Sequence, residues 1–510
     1  MRKNHILVNK HCTKSTFYAM SEPRGVTLIA LIVTIIVLLI LAGVTIANIT
    51  GVDSTIDKAE QAKDENAIQA ELEEIQSAIA NASTKGIRHG NFSGSADVSS
   101  IRATLKSKNL IKENPDDVII DEKSEWIVTG KKTGWCYTIS SGGEVQLIKL
   151  VNDIKNSNNS NSPLSTSQNV IVQDDLGNYI TIPAGFGIAN DSGTKVEEGI
   201  VIEDMTSQST SGSQFVWVPV GNSIKVSENV ASRKTDGTID IKLGRYSENN
   251  SVLVQDVSNG YIQTITTHGI KDGSNYYYEF AKKQPNDLGD SESVDILERE
   301  TDNTKAVNIK DFVSSALNNK GYYIARFEAG VKDTENVDSN TDISYTINGL
   351  TFNKNTTPSN SLVIKKGLAV WNCITQPNAA ILCQNMYSNN ALITSDLINS
   401  YAWDTALKFI QICEDNSYLL NDGKSKTNTI GKTGENILEI SNSLDKKCNI
   451  FDLLGNVKEW STESFSGTSN PCVYRGGQYS GGAYRASFRT YYNVTYKYYH
   501  ISFRPILYIK

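Results

Sequence analysis

The stretch FDLLGNVKEW, residues 451–460, is the most informative part of this 510-residue chain. Its Gly-Asn pair stands between apolar residues and indicates a backbone turn. Three further motifs follow in order: YRGGQY at 474–479, YRASFR at 484–489 and SFRP at 502–505. The end of the chain therefore holds one ordered series of glycine, arginine and aromatic positions, and the rest of the sequence is interpreted outward from it.

This order of motifs resembles the formylglycine-generating-enzyme family, also called sulfatase-modifying factors. The shared pattern is an aspartate, two residues, Gly-Asn-Val-x-Glu-Trp, then Arg-Gly-Gly, Arg-x-x-x-Arg and a terminal Phe-Arg. An upstream segment, Trp403-x-x-Ala406, matches the family as well. The likeness covers residues 400–510 well and residues 170–510 weakly. It implies a C-type-lectin-like fold with mixed α/β content and much irregular loop.

The resemblance also implies a calcium site at the turn. The positions that match the family's ligands are Asp452, Gly455, Val457 and Glu459. Two carboxylates and two carbonyls are oxygen ligands of the kind that Ca²⁺ prefers. The alternative is that Asp452 and Glu459 only accept hydrogen bonds from backbone amides of the turn. The sequence supports both interpretations equally.

The oxidase chemistry of that family has lost its metal ligands in this chain. The enzyme needs two copper-binding cysteines shortly after Arg-Gly-Gly, but no cysteine follows Cys472. A related branch uses iron bound by histidines, and only His500 lies near this position. We therefore predict no copper or iron, and a binding module rather than an enzyme. An enzyme with an unrecognised site is the competing hypothesis.

The C-terminal strip, residues 474–510, has the composition of a binding surface. It contains nine of the chain's 23 tyrosines, six Lys or Arg and no Asp or Glu. Tyrosine offers a large contact area at low entropic cost. The predicted ligand-binding residues are Gln478, Tyr479, Tyr484, Tyr491, Tyr492, Asn493, Tyr496, Tyr498 and His500. A glycan, a peptide or a negatively charged polymer would suit this strip, which also resembles the hypervariable strip of diversity-generating-retroelement variable proteins.

Composition excludes several protein classes. With 39% hydrophobic and 21% charged residues, the chain is neither wholly disordered nor a protein with many membrane spans. A formal charge of −7 gives no reason to expect a nucleic-acid partner. The seven cysteines contain no Cys-x-x-Cys pair and the five histidines are never three or four residues apart, which argues against local zinc sites.

The N-terminal region contains one long apolar run, VTLIALIVTIIVLLILAGVTIANI at residues 26–49. A helix of this length reaches about 36 Å, enough to cross a hydrocarbon core of about 30 Å. Together with the basic leader that ends at Gly25, the run resembles a type IV prepilin. The resemblance implies cleavage between Gly25 and Val26, and methylation of Val26. Ala30 replaces the family's glutamate, which indicates a minor-pilin type, and an uncleaved signal anchor is the alternative.

Between these two ends the pattern changes several times. Residues 56–82 lack Gly and Pro and place Ile68, Leu72, Ile75 and Ile79 on one helix face. Three β-prone runs within 125–148 predict a small antiparallel sheet. The predicted domains are a leader at 1–25, a transmembrane pilin helix at 26–85, a β head at 86–150, a flexible Asn/Ser-rich linker at 151–169 and a lectin-like domain at 170–510 with a polar insertion at 223–310.

The predicted fold class is α+β: a long N-terminal pilin helix with a small antiparallel β head, then a mixed α/β C-type-lectin-like domain. The predicted function is adhesion or ligand binding by a single-pass protein of the cell membrane with an extracellular C-terminal domain, on a pilus or the cell surface. The expected partners are the membrane, a prepilin peptidase, other pilin subunits and an unknown glycan, peptide or surface polymer. The alternatives are a membrane-anchored enzyme and a minor pseudopilin of a secretion or DNA-uptake system.

Overall fold

A computed structural model describes much of the chain from residue 55 onward. The described ranges are 55–88, 98–112, 119–121, 125–133, 135–140, 144–156, 162–249, 252–255, 270–272, 275–279, 309–331, 346–347, 350–351, 362–368, 370–418, 445–465, 470, 472–478, 485–498 and 500–510. The chain divides into two compact units, residues 1–77 and 78–510. All described strands belong to the second unit.

The described residues form helices and many short strands. The helices are α1 Thr55–Arg88, α2 Val98–Ser107, α3 Val151–Asn156, α4 Ile309–Asn318, α5 Gln376–Met386 and α6 Ser400–Cys413, with one 3₁₀ turn at Val196–Glu198. The strands are β1 Ile119–Asp121, β2 Glu125–Thr129, β3 Cys136–Ser140, β4 Val145–Leu147, β5 Lys149–Leu150, β6 Val170–Gln173, β7 Tyr179–Ile182, β8 Phe186–Ile188, β9 Val201–Asp204, β10 Gln214–Pro219, β11 Gly221–Lys225, β12 Thr238–Ile241, β13 Tyr246–Asn249, β14 Val252–Gln255, β15 Ile270–Asp272, β16 Asn275–Glu279, β17 Gly321–Ala325, β18 Gly330–Val331, β19 Thr346–Ile347, β20 Leu350–Thr351, β21 Leu362–Val363, β22 Ile393–Leu397, β23 Lys446–Lys447, β24 Ile450–Phe451, β25 Lys458–Phe465, β26 Cys472–Arg475, β27 Arg489–Tyr492, β28 Ile501–Phe503 and β29 Pro505–Ile509.

Helix α1 is long but polar. Its 34 residues carry acidic and basic side chains at intervals along much of their length, so the helix has no apolar stretch that could lie in hydrocarbon. The apolar stripe expected from the sequence lies on this helix, and Ile75 and Ile79 are buried. The helix is therefore amphipathic, with an apolar face for packing against protein.

The predicted transmembrane pilin helix is wrong, and the predicted fold class is wrong with it. Among the helices that the structure describes, none is both long enough and apolar enough to cross a bilayer. The same finding contradicts the pilin-type character and the single-pass, cell-surface location inferred from that helix. The apolar run at 26–49 and the processing residues Gly25 and Val26 lie outside the described residues.

A four-stranded sheet in the order β1-β2-β3-β4 follows helix α2. The β-prone runs of the sequence form β2, β3 and β4, which pair antiparallel in chain order. Tyr137, Thr138 and Ile139 of β3 are all buried, so this strand is covered on both faces.

The segment predicted as a flexible linker begins with ordered structure. Helix α3 occupies its first six residues, with Val151 and Ile154 buried. Just before it, β5 pairs in parallel with β6, which also pairs with β7. The flexible-linker prediction is therefore corrected for residues 151–156, because their apolar side chains pack into the core. Residues 157–161 lie outside the described part.

The large core is organised around a six-stranded sheet in the order β22-β29-β17-β10-β9-β8. Five of the six residues of β10 are buried, so this strand is covered on both faces. Helices α4 and α6 pack against the sheet. The last strand, β29, lies between the edge strand β22 and β17, so the C-terminal residues pair on both sides within the sheet.

A second six-stranded sheet carries the C-terminal motifs. Its order is β15-β16-β25-β26-β27, and β28 pairs in parallel with β25. Strand β25 starts within the GNVKEW motif, and seven of its eight residues are buried although most are polar. Such a strand is stable only if each buried polar group has a partner.

Gly476 of the Arg-Gly-Gly motif lies where the chain passes close to the 451–456 turn and to helix α6. Its φ of 82° is in the left-handed region that favours glycine. A Cβ atom at this position would lie 2.8 Å from the carbonyl oxygen of Leu453 and 3.3 Å from the Trp403 ring. Glycine is therefore required for the end of β26 to approach the 451–456 turn and helix α6.

Candidate functional site

Four charged side chains form a closed ring of ion pairs in the core. Arg475 lies 2.5 Å from Asp404 and 2.8 Å from Glu463, measured between nitrogen and oxygen. Arg489 contacts the other oxygen of each acid, at 2.5 and 2.7 Å. All four side chains are fully buried, and the charges balance. Charge-assisted bonds of this geometry connect β25, β26, β27 and α6.

Arg504 is also buried and paired. Its guanidinium bonds both carboxylate oxygens of Glu459, at 2.9 and 2.6 Å, and donates to the carbonyls of Ala325 and Phe451 at 2.8 Å. With the two ring arginines, three of the six basic residues in strip 474–510 are interior. The sequence suggested a basic surface there, and the structure removes half of that charge from the surface.

The predicted calcium ligand Glu459 is thus already engaged through both of its oxygens. The nearby Glu328 has the same status, because one oxygen accepts a hydrogen bond from the Asn456 side chain and the other accepts from the Val457 backbone N–H at 3.2 Å. Each oxygen of the two glutamates is therefore engaged by a donor of the protein.

The backbone amides of the turn are satisfied by a residue that the sequence did not suggest. One carboxylate oxygen of Asp445 accepts hydrogen bonds from the Leu454 N–H at 2.8 Å and the Gly455 N–H at 3.1 Å. Asp452, a predicted ligand, is in the left-handed region with a φ of 61°. Its role is conformational as well as chemical, because aspartate tolerates this region better than most residues.

The electrostatics of the turn are dominated by buried carboxyls. Burial raises the pKa of Glu328 well above its usual value, and repulsion from Asp452 and Glu459 raises it further. Within the described ranges, no group of three or more His, Cys, Asp or Glu side chains is arranged to hold a metal ion. Glu459 is paired with Arg504 in this structure, and calcium at the turn stays a prediction.

Four of the predicted binding residues come together as a stack, which we call the aromatic column: Tyr492, Tyr496, Tyr498 and His500. The Tyr492 and Tyr496 rings are stacked with centroids 3.5 Å apart, and the Tyr496 and Tyr498 rings are nearly parallel at 5.9 Å. His500 meets Tyr498 edge-on at 4.4 Å. Tyr492 and Tyr498 are 40% and 37% exposed, the large apolar side chains most open to solvent in the described part of the chain.

The backbone around the column is held by specific contacts. The Tyr496 N–H donates to the Asn493 carbonyl at 3.1 Å and closes a turn after β27. The Tyr498 carbonyl accepts from the Cys373 N–H at 3.1 Å. Beneath the column, the buried Trp460 ring lies 6.5 Å from Tyr496 and perpendicular to it. The rings are therefore fixed from below while their outer edges face solvent.

The other predicted binding residues do not join the column. Tyr491 points to the other side of β27 and stacks on Phe465 with centroids 3.6 Å apart. Gln478 is buried and belongs to the interior. Tyr479 and Tyr484 lie outside the described residues. Sequence reasoning missed Phe465, and only its position at the end of the GNVKEW strand could have indicated it.

Lys458 is a second residue that the sequence did not single out. Its Nζ lies 5.0 Å from the Tyr474 ring centroid and 5.7 Å from that of Phe488. Burial lowers the pKa of Lys458 to about 8. Burial, with repulsion from Lys458, lowers the pKa of His500 to about 4. His500 is therefore neutral at ordinary pH, and its imidazole can either donate or accept a hydrogen bond at the end of the column.

Comparisons with known proteins add little to this geometry. No protein-family model matches the chain. No curated protein matches it either. Among solved structures, CarF is 12% identical with a TM-score of 0.24, over 38% of this chain and 87% of CarF. Treponema denticola variable protein 1 is 13% identical with a TM-score of 0.23, over 37% of this chain and 84% of that protein. Likenesses at these TM-scores support no argument about fold or activity.

Proposed function

We propose that the chain is a ligand-recognition protein that binds through the aromatic column and does not transform its ligand. The observation that carries this proposal is the pairing of exposure and order: Tyr492 and Tyr498 are exposed, yet they are held in one stack. Exposed, preordered tyrosines contribute contact area and hydroxyl hydrogen bonds at little entropic cost. Binding surfaces favour such residues as energetic anchors.

The positive charge available around the column is smaller than the sequence of the strip suggests. Three of the six basic residues in strip 474–510 are paired with acids inside the protein, so they cannot contribute to attracting a polyanion. His500 is neutral at ordinary pH because of its lowered pKa. A neutral glycan or an uncharged peptide segment suits this surface better than the anionic polymer that the sequence allowed.

The test is a binding screen with the Tyr492→Ala/Tyr498→Ala double variant. Arrays of neutral glycans, sulfated glycans and peptides are probed with the full chain, and the hits are measured by calorimetry. We expect the double variant to lose about tenfold or more in affinity, because truncating an interface tyrosine removes its buried contact area. Circular dichroism verifies that the variant remains folded.

A matched control tests whether the loss of affinity is specific to the aromatic column or follows the loss of any tyrosine. Tyr179→Ala changes a half-buried tyrosine on β7, away from the C-terminal strip in sequence, and should leave affinity unchanged. Full affinity in a folded double variant, or an equal loss in the Tyr179→Ala control, would show that the column is not the binding surface.

A further inference from the structure

A cavity with no part in the aromatic column lies between four other segments. It has a volume of about 350 Å³. Its walls come from the loop after β8, the 3₁₀ turn, the end of helix α6 and the β23–β24 hairpin. The volume is at the lower end of the range for small-molecule sites, roughly 300–1,000 Å³.

Two carboxylates on the rim have one oxygen each that is available to a ligand. One Asp191 oxygen bonds the buried Arg326 guanidinium at 2.7 Å. One Glu198 oxygen accepts from the backbone N–H groups of Thr194 and Lys195, at 2.9 and 3.3 Å. Asp191 also receives a hydrogen bond from its own backbone N–H. Among the residues that the structure describes, no other side chain bonds the second oxygen of either carboxylate. Hydrogen bonds therefore hold both side chains in place, and each carboxylate has an oxygen that could accept a hydrogen bond from a ligand.

The rim also carries a cation that is not neutralised by direct pairing. Lys446 is exposed, and its Nζ lies 5.9 Å from the Phe451 ring centroid. Its charge helps to lower the pKa of Asp191, but it makes no ion pair within 4 Å in the described part of the chain. By contrast, the third rim acid, Glu414, is occupied by Lys447 at 3.3 Å and by the Cys448 backbone N–H. The available groups are therefore two carboxylate oxygens and one ammonium, rather than a purely acidic set.

The floor of the cavity is neutral and rigid. The Asn449 side chain donates to the carbonyls of Glu198 and Gly199 at 3.1 and 2.7 Å, and accepts from Arg326 at 3.3 Å. Gly199 has a φ of 83°, and any Cβ there would overlap the Cys448 carbonyl. A preformed site loses little free energy in ordering itself around a ligand.

We propose that this cavity binds a small zwitterion with a primary ammonium and a carboxylate, as in a free α-amino acid. The ammonium donates to the available oxygens of Asp191 and Glu198, and the carboxylate pairs with Lys446. A metal ion is a poorer occupant, since no His, Cys, Asp and Glu group in the described ranges is arranged for one. A simple anion would meet the two rim carboxylates, and a simple amine would leave Lys446 unused.

Saturation-transfer NMR with the full chain tests the site. Alanine is the probe, with ethylammonium and propionate as compounds that carry one charge each. We expect saturation transfer to alanine and weaker transfer to the other two. Asp191→Asn, which keeps an acceptor for Arg326, and Lys446→Gln, at an exposed position, should each weaken alanine binding about tenfold, because each removes one charge-assisted bond.

The matched control is Asp240→Asn, which removes another carboxylate in an ion pair, with Lys234 at 2.6 Å. It should bind alanine like the unchanged chain. The proposal is overturned if neither alanine nor any other standard amino acid receives saturation. It is equally overturned if both cavity variants bind alanine unchanged, or if propionate or ethylammonium binds as tightly as alanine.

Discussion

At the scale of single residues, the roles of charged side chains depend on which partner reaches them. Arg475 and Arg489 look in the sequence like members of a basic strip, yet each is neutralised by Asp404 and Glu463. Removing one member of such a set leaves a buried charge without compensation. That penalty is larger than the net contribution of an intact pair.

Arg489→Met should therefore destabilise the protein strongly. We expect the free energy of unfolding to fall by about 3–5 kcal/mol, because Asp404 and Glu463 would each lose a donor in the core. Denaturant unfolding monitored by fluorescence measures the change.

Lys497→Met is the matched control, because it removes another positive charge of the same strip at a half-exposed position. It should change the free energy of unfolding by no more than about 0.5 kcal/mol. Equal losses in the two variants would contradict the assigned role of the buried ring.

At the scale of elements, the segment from the last residue of β27 to the start of β28 forms the candidate binding surface. This segment contains the rings of the aromatic column, and its chain path is set by the Asn493 turn and by the pairing of β28 with β25. The exposed rings contribute little to the core, whereas Trp460 and Phe503 on the paired strands are fully buried. The proposed ligand binding and the stability of the fold thus depend on different side chains of neighbouring elements.

The histidine at the end of this segment makes stability depend on pH. Burial and nearby Lys458 hold the folded pKa of His500 at about 4, below its ordinary 6.5. The unfolded chain therefore binds this proton first as pH falls. The contribution of neutral His500 to stability is complete above pH 6.5 and is lost progressively as pH falls toward about 4.

His500→Gln tests this dependence, because glutamine does not titrate. Thermal unfolding midpoints of both proteins are recorded above pH 6.5 and at several values within the window. The midpoint of the unchanged chain should fall more steeply with decreasing pH than that of the variant. Parallel curves for the two proteins would mean that His500 has the same pKa folded and unfolded.

At the scale of the whole molecule, one hydrophobic cluster runs from Val151 to Ile509 and joins most described elements after the β head. Strand β29 at the C-terminus pairs with β17 in the large sheet. The sheet therefore forms only when segments that are far apart in sequence come together. The polar turn at 451–456 is stabilised within this body by Arg504, which supplies positive charge to Glu459.

Because the Arg504 guanidinium already pairs with Glu459, the thermal stability of the protein should not require calcium. We expect the same thermal unfolding midpoint after exhaustive chelation as with excess Ca²⁺. Differential scanning calorimetry of the chelated, calcium-loaded and magnesium-loaded chain makes the comparison. A midpoint that rises with Ca²⁺ but not with Mg²⁺ would contradict this expectation and support calcium binding at the turn.

The sequence by itself determined the local requirements of this protein. The glycine at position 476, the turn at 451–456, the β-prone runs of the head and the tyrosines after Arg489 all follow from conformational preference and composition, which act over a few residues. Only the tertiary structure decided which charges are interior. Asp404 and Arg475 are 71 residues apart in sequence, and Glu459 and Arg504 are 45 apart, so no local pattern pairs them. Local apolar composition likewise predicted a membrane helix at 26–49, a run outside the described residues, whereas the long helix that the structure describes, Thr55–Arg88, is polar.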